Sequence, residues 1–469
     1  MKQVQFTALL LVLGMCSQYW AKPIVDPALR MQLLNKDDAS IRVIAKFRDR
    51  DRGKMASQTG IQSQKIATSL VSQRQFIREM GLMKKGKIQR ITSLWINNSI
   101  ILEANVSLIR ELFDRDDIEL LSHDKEFRLE ETVPYLGEDD PDPQGTTYGL
   151  SLIRAPRVWS ELGITGKEVK VGVLDTGYAK HRDLKGKVIA ARDFISGKKD
   201  NRPNDGQGHG THVLGTIGGG DKSGKAIGVA PNVRFIVAKI FSDKGASNIS
   251  SILRAMQWVA DPDSNPNTSD HPGVISNSWG GKMKSCTHQK LMRDALSTWR
   301  EMGIVPVFAA GNSGPTPYTV GFPGGFPEAI AVGAIDSSDK IAKFSSRGPV
   351  PIDGKMLIKP EITGPGVKIL SAAHKGGYVR MSGTSMAAPH VSGVVALMLQ
   401  AAPRLTPAMV SKILQETSRD LGEPGKDTQF GAGRLDAFRA VSRAIEFAQA
   451  QNISVASNAK GSRRDDGRN

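Results

Sequence analysis

The sequence predicts an α/β three-layer sandwich with a mostly parallel central sheet, preceded by a small α+β domain of ferredoxin-like order. Three observations predict it. Near-continuous apolar runs alternate with helical stretches between residues 168 and 335. A β-α-β-β-α-β order fills about 90 residues upstream. An acidic, proline-rich segment without apolar period, LGEDDPDPQG at 136–145, separates the two.

The chain has 469 residues, room for one large domain and one small one. Residues 1–21 read as a signal peptide: FTALLLVLGM at 6–15 follows Lys2, is too short to span a bilayer, and precedes a cut after Ala21. LGMC at 13–16 hints at lipid attachment on Cys16, but Met15 is bulky where such a site takes a small residue. Either cut implies export to a secreted or extracytoplasmic location.

Residues 38–130 form the small domain. IRVIAKFR at 41–48 reads as a strand. Residues 58–80 read as a helix, with Ile61, Ile66, Leu70, Val71, Phe76 and Ile77 in an approximate stripe. Strands at 88–95 and 99–103, a short helix at 107–114 and a strand at 118–122 complete the unit. Residues 131–147 are a linker. Residues 148–445 hold the large domain, with strands at 168–174, 233–241, 273–277, 304–310 and 329–335. The helix at 248–260 puts Ile249, Ile252, Leu253, Met256 and Val259 on one face. The helix over 391–401 is strongly apolar and therefore central. Strands apolar on both faces belong to a sheet covered on both sides. The polar tail, 446–469, is expected to be disordered.

Lys and Arg exceed Asp and Glu by 63 to 47, a net charge of +16. That balance favours anionic surfaces. Long basic blocks and interleaved aromatics are both missing, so no nucleic-acid partner is expected and the chain reads as a soluble, basic, secreted protein; a monomer is expected. Two cysteines, Cys16 and Cys286, exclude a disulfide framework.

Open parallel sheets build their sites at the carboxyl ends of strands. VGVL ends in Asp175, Thr176 and Gly177; VISNS in Trp279, Gly280 and Gly281; VPVFAA in Gly311, Asn312 and Ser313. Asp175 is a turn-capping carboxylate or an active-site group. Asn312 is a turn residue or a hydrogen-bond donor to an oxyanion. His209, in DGQGHGTHVLG at 205–215, starts a helix as a capping or solvated histidine, or as a base. His209 and His212 lie one turn apart, as metal ligands can, but no acid or cysteine at ligand spacing accompanies them. In SGTSMAAPH, 382–390, Ser385 sits in a small-residue turn or is a nucleophile. A nucleophilic serine requires a base, an orienter for that base, and oxyanion donors.

Together, DTG (175–177), HGTHVLG (209–215), AAGNSG (309–314) and GTSMAAPH (383–390), in that order, resemble the subtilisin-like serine proteases, or subtilases. The resemblance runs from about Tyr148 to about Ala440 and includes IGVAP (227–231), FSSRGP (344–349) and GAGRLDA (431–437). It implies the subtilisin-like version of the sandwich and a serine endopeptidase that needs no cofactor for its chemistry. Ser385 becomes the nucleophile, His209 the general base, Asp175 its orienter, and the Asn312 amide an oxyanion donor with the Ser385 N–H. A helix start at Ser385 favours developing negative charge. Pro389 should distort that helix, although the family carries a proline there too.

The resemblance also implies that a substrate protein or peptide adds as a strand between residues 244–247, including Gly245, and Ser278, Trp279 and Gly280. Ala310 and Gly311 would wall the pocket before the scissile bond, with Gly321 at its base. These stretches carry no acid, so a large apolar side chain is expected there. The small domain resembles the family's inhibitory propeptide. It would assist folding, lay its tail, around 118–135, through the cleft, and be cut by the enzyme itself between about Glu130 and Gln144.

Calcium is not supported in GDKSGKA, 220–226, where Lys222 and Lys225 oppose a cation, and Asp183 stays a candidate ligand. The long loop 261–272, DPDSNPNTSDHP, serves calcium binding, substrate contact or neither. An α/β-hydrolase esterase, suggested by GTSMA, orders its triad Ser, acid, His. Only His390 follows Ser385, so that reading fails on order. An idle binding protein on this fold is expected to lack a triad residue, and none is missing.

Overall fold

The computed structural model describes residues 22–34, 39–48, 60–83, 87–130, 132–135, 142–197 and 202–461. Residues 1–21, on which the signal-peptide and Cys16 expectations fall, and residues 462–469 lie outside them.

Seven strands form the central sheet: β1 Lys170–Asp175, β2 Val188–Asp193, β3 Arg234–Lys239, β4 Val274–Asn277, β5 Val305–Ala309, β6 Ile330–Ile335 and β7 Ile362–Pro365. Their order is β7-β6-β5-β4-β1-β3-β2, with every pair parallel. The ends of the five expected strands differ from the sequence expectation by at most two residues, where fraying decides the boundary, and β2 and β7 add to them. The two faces alternate as a pleat requires: Val171, Val173, Phe235 and Val237 face one core, and Leu174, Ile236 and Ala238 the other. The first core is closed by α1 His209–Gly218, with α4 Thr384–Ala401 and α5 Ala437–Gly461, and the second by α2 Ile249–Val259 and α3 Cys286–Glu301.

From β1 the sheet grows outward to β3 and β2, then returns and grows the other way from β4 to β7. The reversal between β1 and β4 opens a crevice at the strands' carboxyl ends. Helix α4 starts at that crevice. It is buried all round from Thr384 to Leu399, as an apolar central helix must be. Pro389 lies inside it without ending it. A proline removes the N–H that would bond the carbonyl four residues earlier, here that of Ser385. Ser278 Oγ supplies the missing donor to the Ser385 carbonyl at 2.8 Å.

The tail expectation is corrected in part: α5 runs to Gly461, past 446, because no glycine or proline interrupts residues 437–460.

The small domain shows the expected order, with strands Ser40–Phe47, Ile88–Leu94, Ser99–Asn105 and Ile118–His123, and helices Ile61–Met83 and Val106–Glu111. It begins earlier than residue 38. Strand Ile24–Val25 pairs parallel to Ile118–His123, and helix Pro27–Leu34 buries Leu29 and Leu33 in the domain's core. PALRMQLL, with proline at its first position, carries the helix signal.

One sheet face covers this domain's own helices, and the other docks on α2 and α3, where Ile44, Leu94, Ile96, Ile101 and Leu120 join the second core. The dock is also hydrogen-bonded. Gln257 Oε1 accepts from Trp95 N at 2.6 Å, the Ile96 carbonyl accepts from Thr298 Oγ1 at 2.6 Å, and the Leu291 carbonyl accepts from Asn97 Nδ2 at 3.2 Å. Lys46, itself buried, reaches Asp294 at 3.2 Å and Glu119 at 3.1 Å.

Candidate active site

Asp175 is the last residue of β1 and His209 the first of α1. A buried carboxylate and a buried imidazole meet there: Asp175 Oδ1 is 2.8 Å from His209 Nδ1. Thr176 N also donates to Asp175 Oδ1 at 2.7 Å. Burial opposes the imidazolium, but the charge and hydrogen bond of Asp175, with the charge of Asp205, outweigh it and hold His209 above its ordinary value. With Nδ1 donating to Asp175, the neutral ring presents Nε2 as an acceptor. Nε2 is buried and has no hydrogen-bond partner among the described residues.

The turn into α1 depends on Gly208. Its φ of 105° is open to glycine, and a Cβ there would collide with the His374 ring. Asp205, missed in the sequence reading, organises this turn. Its Oδ1 accepts from Gly208 N at 2.7 Å and Thr176 Oγ1 at 2.9 Å, and its Oδ2 from Thr211 N at 2.8 Å and Thr211 Oγ1 at 2.6 Å. It ties the end of β1 to the start of α1, so the Asp175–His209 pair is held from both sides. The available signal was a short acid four residues before the histidine in a glycine-rich turn.

Ser385 is the second residue of α4. Its hydroxyl donates to the Ser278 carbonyl at 3.0 Å, so the serine and histidine do not share a hydrogen bond in this conformation. Asn312 follows β5. Its Oδ1 accepts from Thr384 N and Thr384 Oγ1, each at 2.9 Å. The backbone donor fixes the amide's orientation, because Oδ1 must be the atom facing it. Nδ2 is thereby left as the outward donor, beside Gly383. Two other histidines, His212 and His390, are spoken for differently. His212 Nε2 meets the Ile369 carbonyl at 2.9 Å, and His390 Nδ1 the Met386 carbonyl at 2.8 Å. Burial pushes them down to about 3 and about 4.

Gly280, Ala310, Gly311 and Gly321 are brought together. Gly321 N donates to the Ala310 carbonyl at 2.9 Å, and the peptide groups of Gly281 and Phe322 exchange bonds of 3.0 and 2.9 Å. Trp279 is buried, with its ring 5.7 Å from Phe127 and 5.3 Å from Phe308. Gly245 accepts from Leu129 N at 2.9 Å, just beyond the antiparallel pairing of Glu126–Arg128 with Ala246–Asn248. Farther along, Val133–Tyr135 pairs antiparallel with Tyr378–Ser382. Glu130 Oε2 accepts from Asn312 N at 2.6 Å. Burial raises the Glu130 carboxyl, and the Asn312 N–H works against that rise.

Among the described residues, ligand atoms of two groups lie close enough to share a metal: Asp26, His123 and His288, and Asp261, Asp263 and Asp270. The second has the oxygen-only set that suits calcium and falls in the long loop at 261–272. His209 and His212 belong to neither. Asp183 already accepts from Lys222 N at 2.9 Å through Oδ1 and from the Tyr378 hydroxyl through Oδ2.

Residues 166–433 match the family model described as the Subtilase family, peptidase S8. The chain belongs to that family. This subtilase is 38% identical over 283 residues to subtilisin DY of Bacillus licheniformis, covering 60% of its own length and 94% of that protein's. It is 34% identical over 328 residues to alkaline elastase YaB of Bacillus sp. (strain YaB), covering 69% of its own length and 76% of that protein's. Against bacillopeptidase F of Bacillus subtilis (strain 168) the identity is 32% over 405 residues, 79% of this chain and 28% of that protein. The subtilase is therefore a subtilisin-like serine endopeptidase, a hydrolase acting on proteins. No helix among its described residues is long and apolar enough to cross a membrane.

Proposed function

We propose that this subtilase hydrolyses peptide bonds through Ser385, His209 and Asp175, and that it is exported through its leader as a self-processed zymogen. The observation that carries the roles is the buried Asp175–His209 pair at 2.8 Å, which leaves His209 Nε2 without a hydrogen-bond partner among the described residues. Ser385 Oγ leaves the Ser278 carbonyl by a side-chain rotation and passes its proton to His209 Nε2 as it attacks the substrate carbonyl carbon. Asp175 keeps Nδ1 protonated and stabilises the imidazolium. The oxyanion is met by Asn312 Nδ2 and Ser385 N–H, at the positive end of α4. His209 then gives its proton to the leaving amine, and water releases the acyl group by the same path in reverse.

The paired strands 126–128 and 246–248 support the zymogen reading, because the segment occupies the groove an extended substrate would take. In this reading residues 22–130 form the propeptide, an intramolecular inhibitor and folding aid, and the catalytic unit acts as a monomer. Gly311 lacks the Cβ that would stand 3.6 Å from the Glu130 carboxylate, which leaves room for a long side chain, whereas Gly321 lets its backbone pack against that of Gly281. Width alone admits the large apolar class expected from the sequence.

A fluorophosphonate probe tests the roles. It should form one adduct, on Ser385, in the processed enzyme and none in Ser385→Ala. An adduct elsewhere, or none, refutes the assignment.

A further inference from the structure

The tail of the small domain is held on both sides of the nucleophile. On one side Phe127 pairs with Ser247, Arg128 with Ala246, and Leu129 N reaches the Gly245 carbonyl. On the other, Val133 pairs with Ser382, three residues before Ser385, and Thr132 lies against Gly383. Two strand pairings of opposite rims fix the register of what lies between them. Glu130 is the residue whose side chain enters the pocket. Its Oε2 accepts from Asn312 N at 2.6 Å, and both carboxylate oxygens lie 3.6 Å from where a Cβ on Gly311 would stand. At φ 107°, Gly311 leaves that space open.

We infer that the peptide bond on the carboxyl side of Glu130 is the self-processing site, and that the pocket before the scissile bond accepts a glutamate side chain in substrates as well. The inference rests on the serine-endopeptidase roles proposed above and adds the side-chain class.

A carboxylate can enter a half-closed pocket only where donors replace its water and no like charge opposes it. Both conditions are met. The Asn312 N–H donates to it, and residues 309–327 contain no Asp or Glu. The Ser346 hydroxyl, which accepts from Ser313 N at 3.1 Å, flanks Gly311 and offers a second polar contact surface. The apolar selection sits three residues earlier instead. Phe127 is buried against Trp279 and Phe241, with ring centroids 5.7 and 6.3 Å away. The absence of acids that suggested a pocket for large apolar side chains is equally what a glutamate requires.

The step balances within the chain. Ser385 Oγ bonds to the Glu130 carbonyl carbon and its proton moves to His209. The C–N bond breaks, and the new amine takes that proton. Water then cleaves the ester, restoring the Ser385 hydroxyl and leaving Glu130 with a free carboxylate.

Two measurements test this. Mass spectrometry of the first fragment released from the full chain should give a carboxyl terminus at Glu130, and Glu130→Lys should slow that release at least tenfold. Because a propeptide variant can fail to fold, processed wild-type enzyme is also assayed on fluorogenic peptides Phe-Arg-Leu-Xaa with Xaa as Glu, Gln, Phe or Lys. The Glu peptide should be cut at least tenfold faster than the Lys peptide, and at a rate within tenfold of the Phe peptide. A first fragment ending elsewhere, or a Glu peptide cut at under a tenth of the Phe rate by enzyme that still labels on Ser385, overturns the inference alone. Enzyme that cuts none of the four and takes no label on Ser385 overturns the endopeptidase roles beneath it.

Discussion

Ser278→Ala tests how the nucleophile's helix is held. Pro389 has no N–H, so the Ser385 carbonyl lacks its partner four residues along α4. The Ser278 hydroxyl is the substitute, at 2.8 Å, and both residues are buried. Truncating it leaves a buried carbonyl unsatisfied, a loss of about 1–3 kcal/mol. In a domain of this size each kcal/mol lowers Tm by about 2–4 °C, so a drop of about 4–8 °C is expected for a mid-range loss. The measurement belongs in a Ser385→Ala background, which prevents autolysis and keeps the carbonyl, with thermal unfolding followed by near-UV circular dichroism. Pro389→Ala supplies the control. It returns an N–H to the helix, so Ser278→Ala should then cost about 1 kcal/mol less or better, a coupling that separated sites do not show. Additivity of the two substitutions within about 0.5 kcal/mol would refute the argument.

Other outcomes follow from the same geometry. Asp175 raises His209, so the base should protonate above the ordinary 6.5, and kcat/KM should fall as pH drops through that raised value. Asp175→Asn removes the charge and adds an amide donor that favours the wrong imidazole tautomer, moves this acid limb to lower pH, and lowers kcat about 10⁴-fold; an unmoved limb in the pH–rate profile would exclude the pairing as its cause. Asn312→Ala should lower kcat about 10²–10³-fold with little change in KM, a magnitude measured on a subtilisin of this same family; steady-state kinetics on one peptide decides it. Glu361→Ala strands the buried Lys359 ammonium, which now bonds Glu361 at 2.9 Å and the carbonyls of Phe326 and Ala329 at 2.7 and 2.9 Å. Urea unfolding in the Ser385→Ala background should show a loss of about 3–5 kcal/mol.

What the sequence determined by itself is local. Apolar runs set the strands, because a strand buried on both faces tolerates no polar alternation. Small and polar residues just past those runs marked Asp175 and Asn312, and a glycine-rich turn marked His209, because only such backbones approach a ligand closely. The order of these motifs carried the family. Other features depended on residues far apart in the chain that only folding joins. Asp205 drew no assignment from the sequence, because only folding lets its two oxygens bridge β1 and α1. Ser278 looked like a strand end until Pro389, over a hundred residues away, left a carbonyl for it to satisfy. In the strand Ser40–Phe47, Val43, Ile44 and Ala45 are buried on both faces, and periodicity alone cannot tell which face meets its own helices and which docks on α2 and α3. SGTSMAAPH permitted a nucleophile. The tertiary structure decided which segment lies across it, because two strand pairings from opposite rims leave Glu130 as the residue in the pocket.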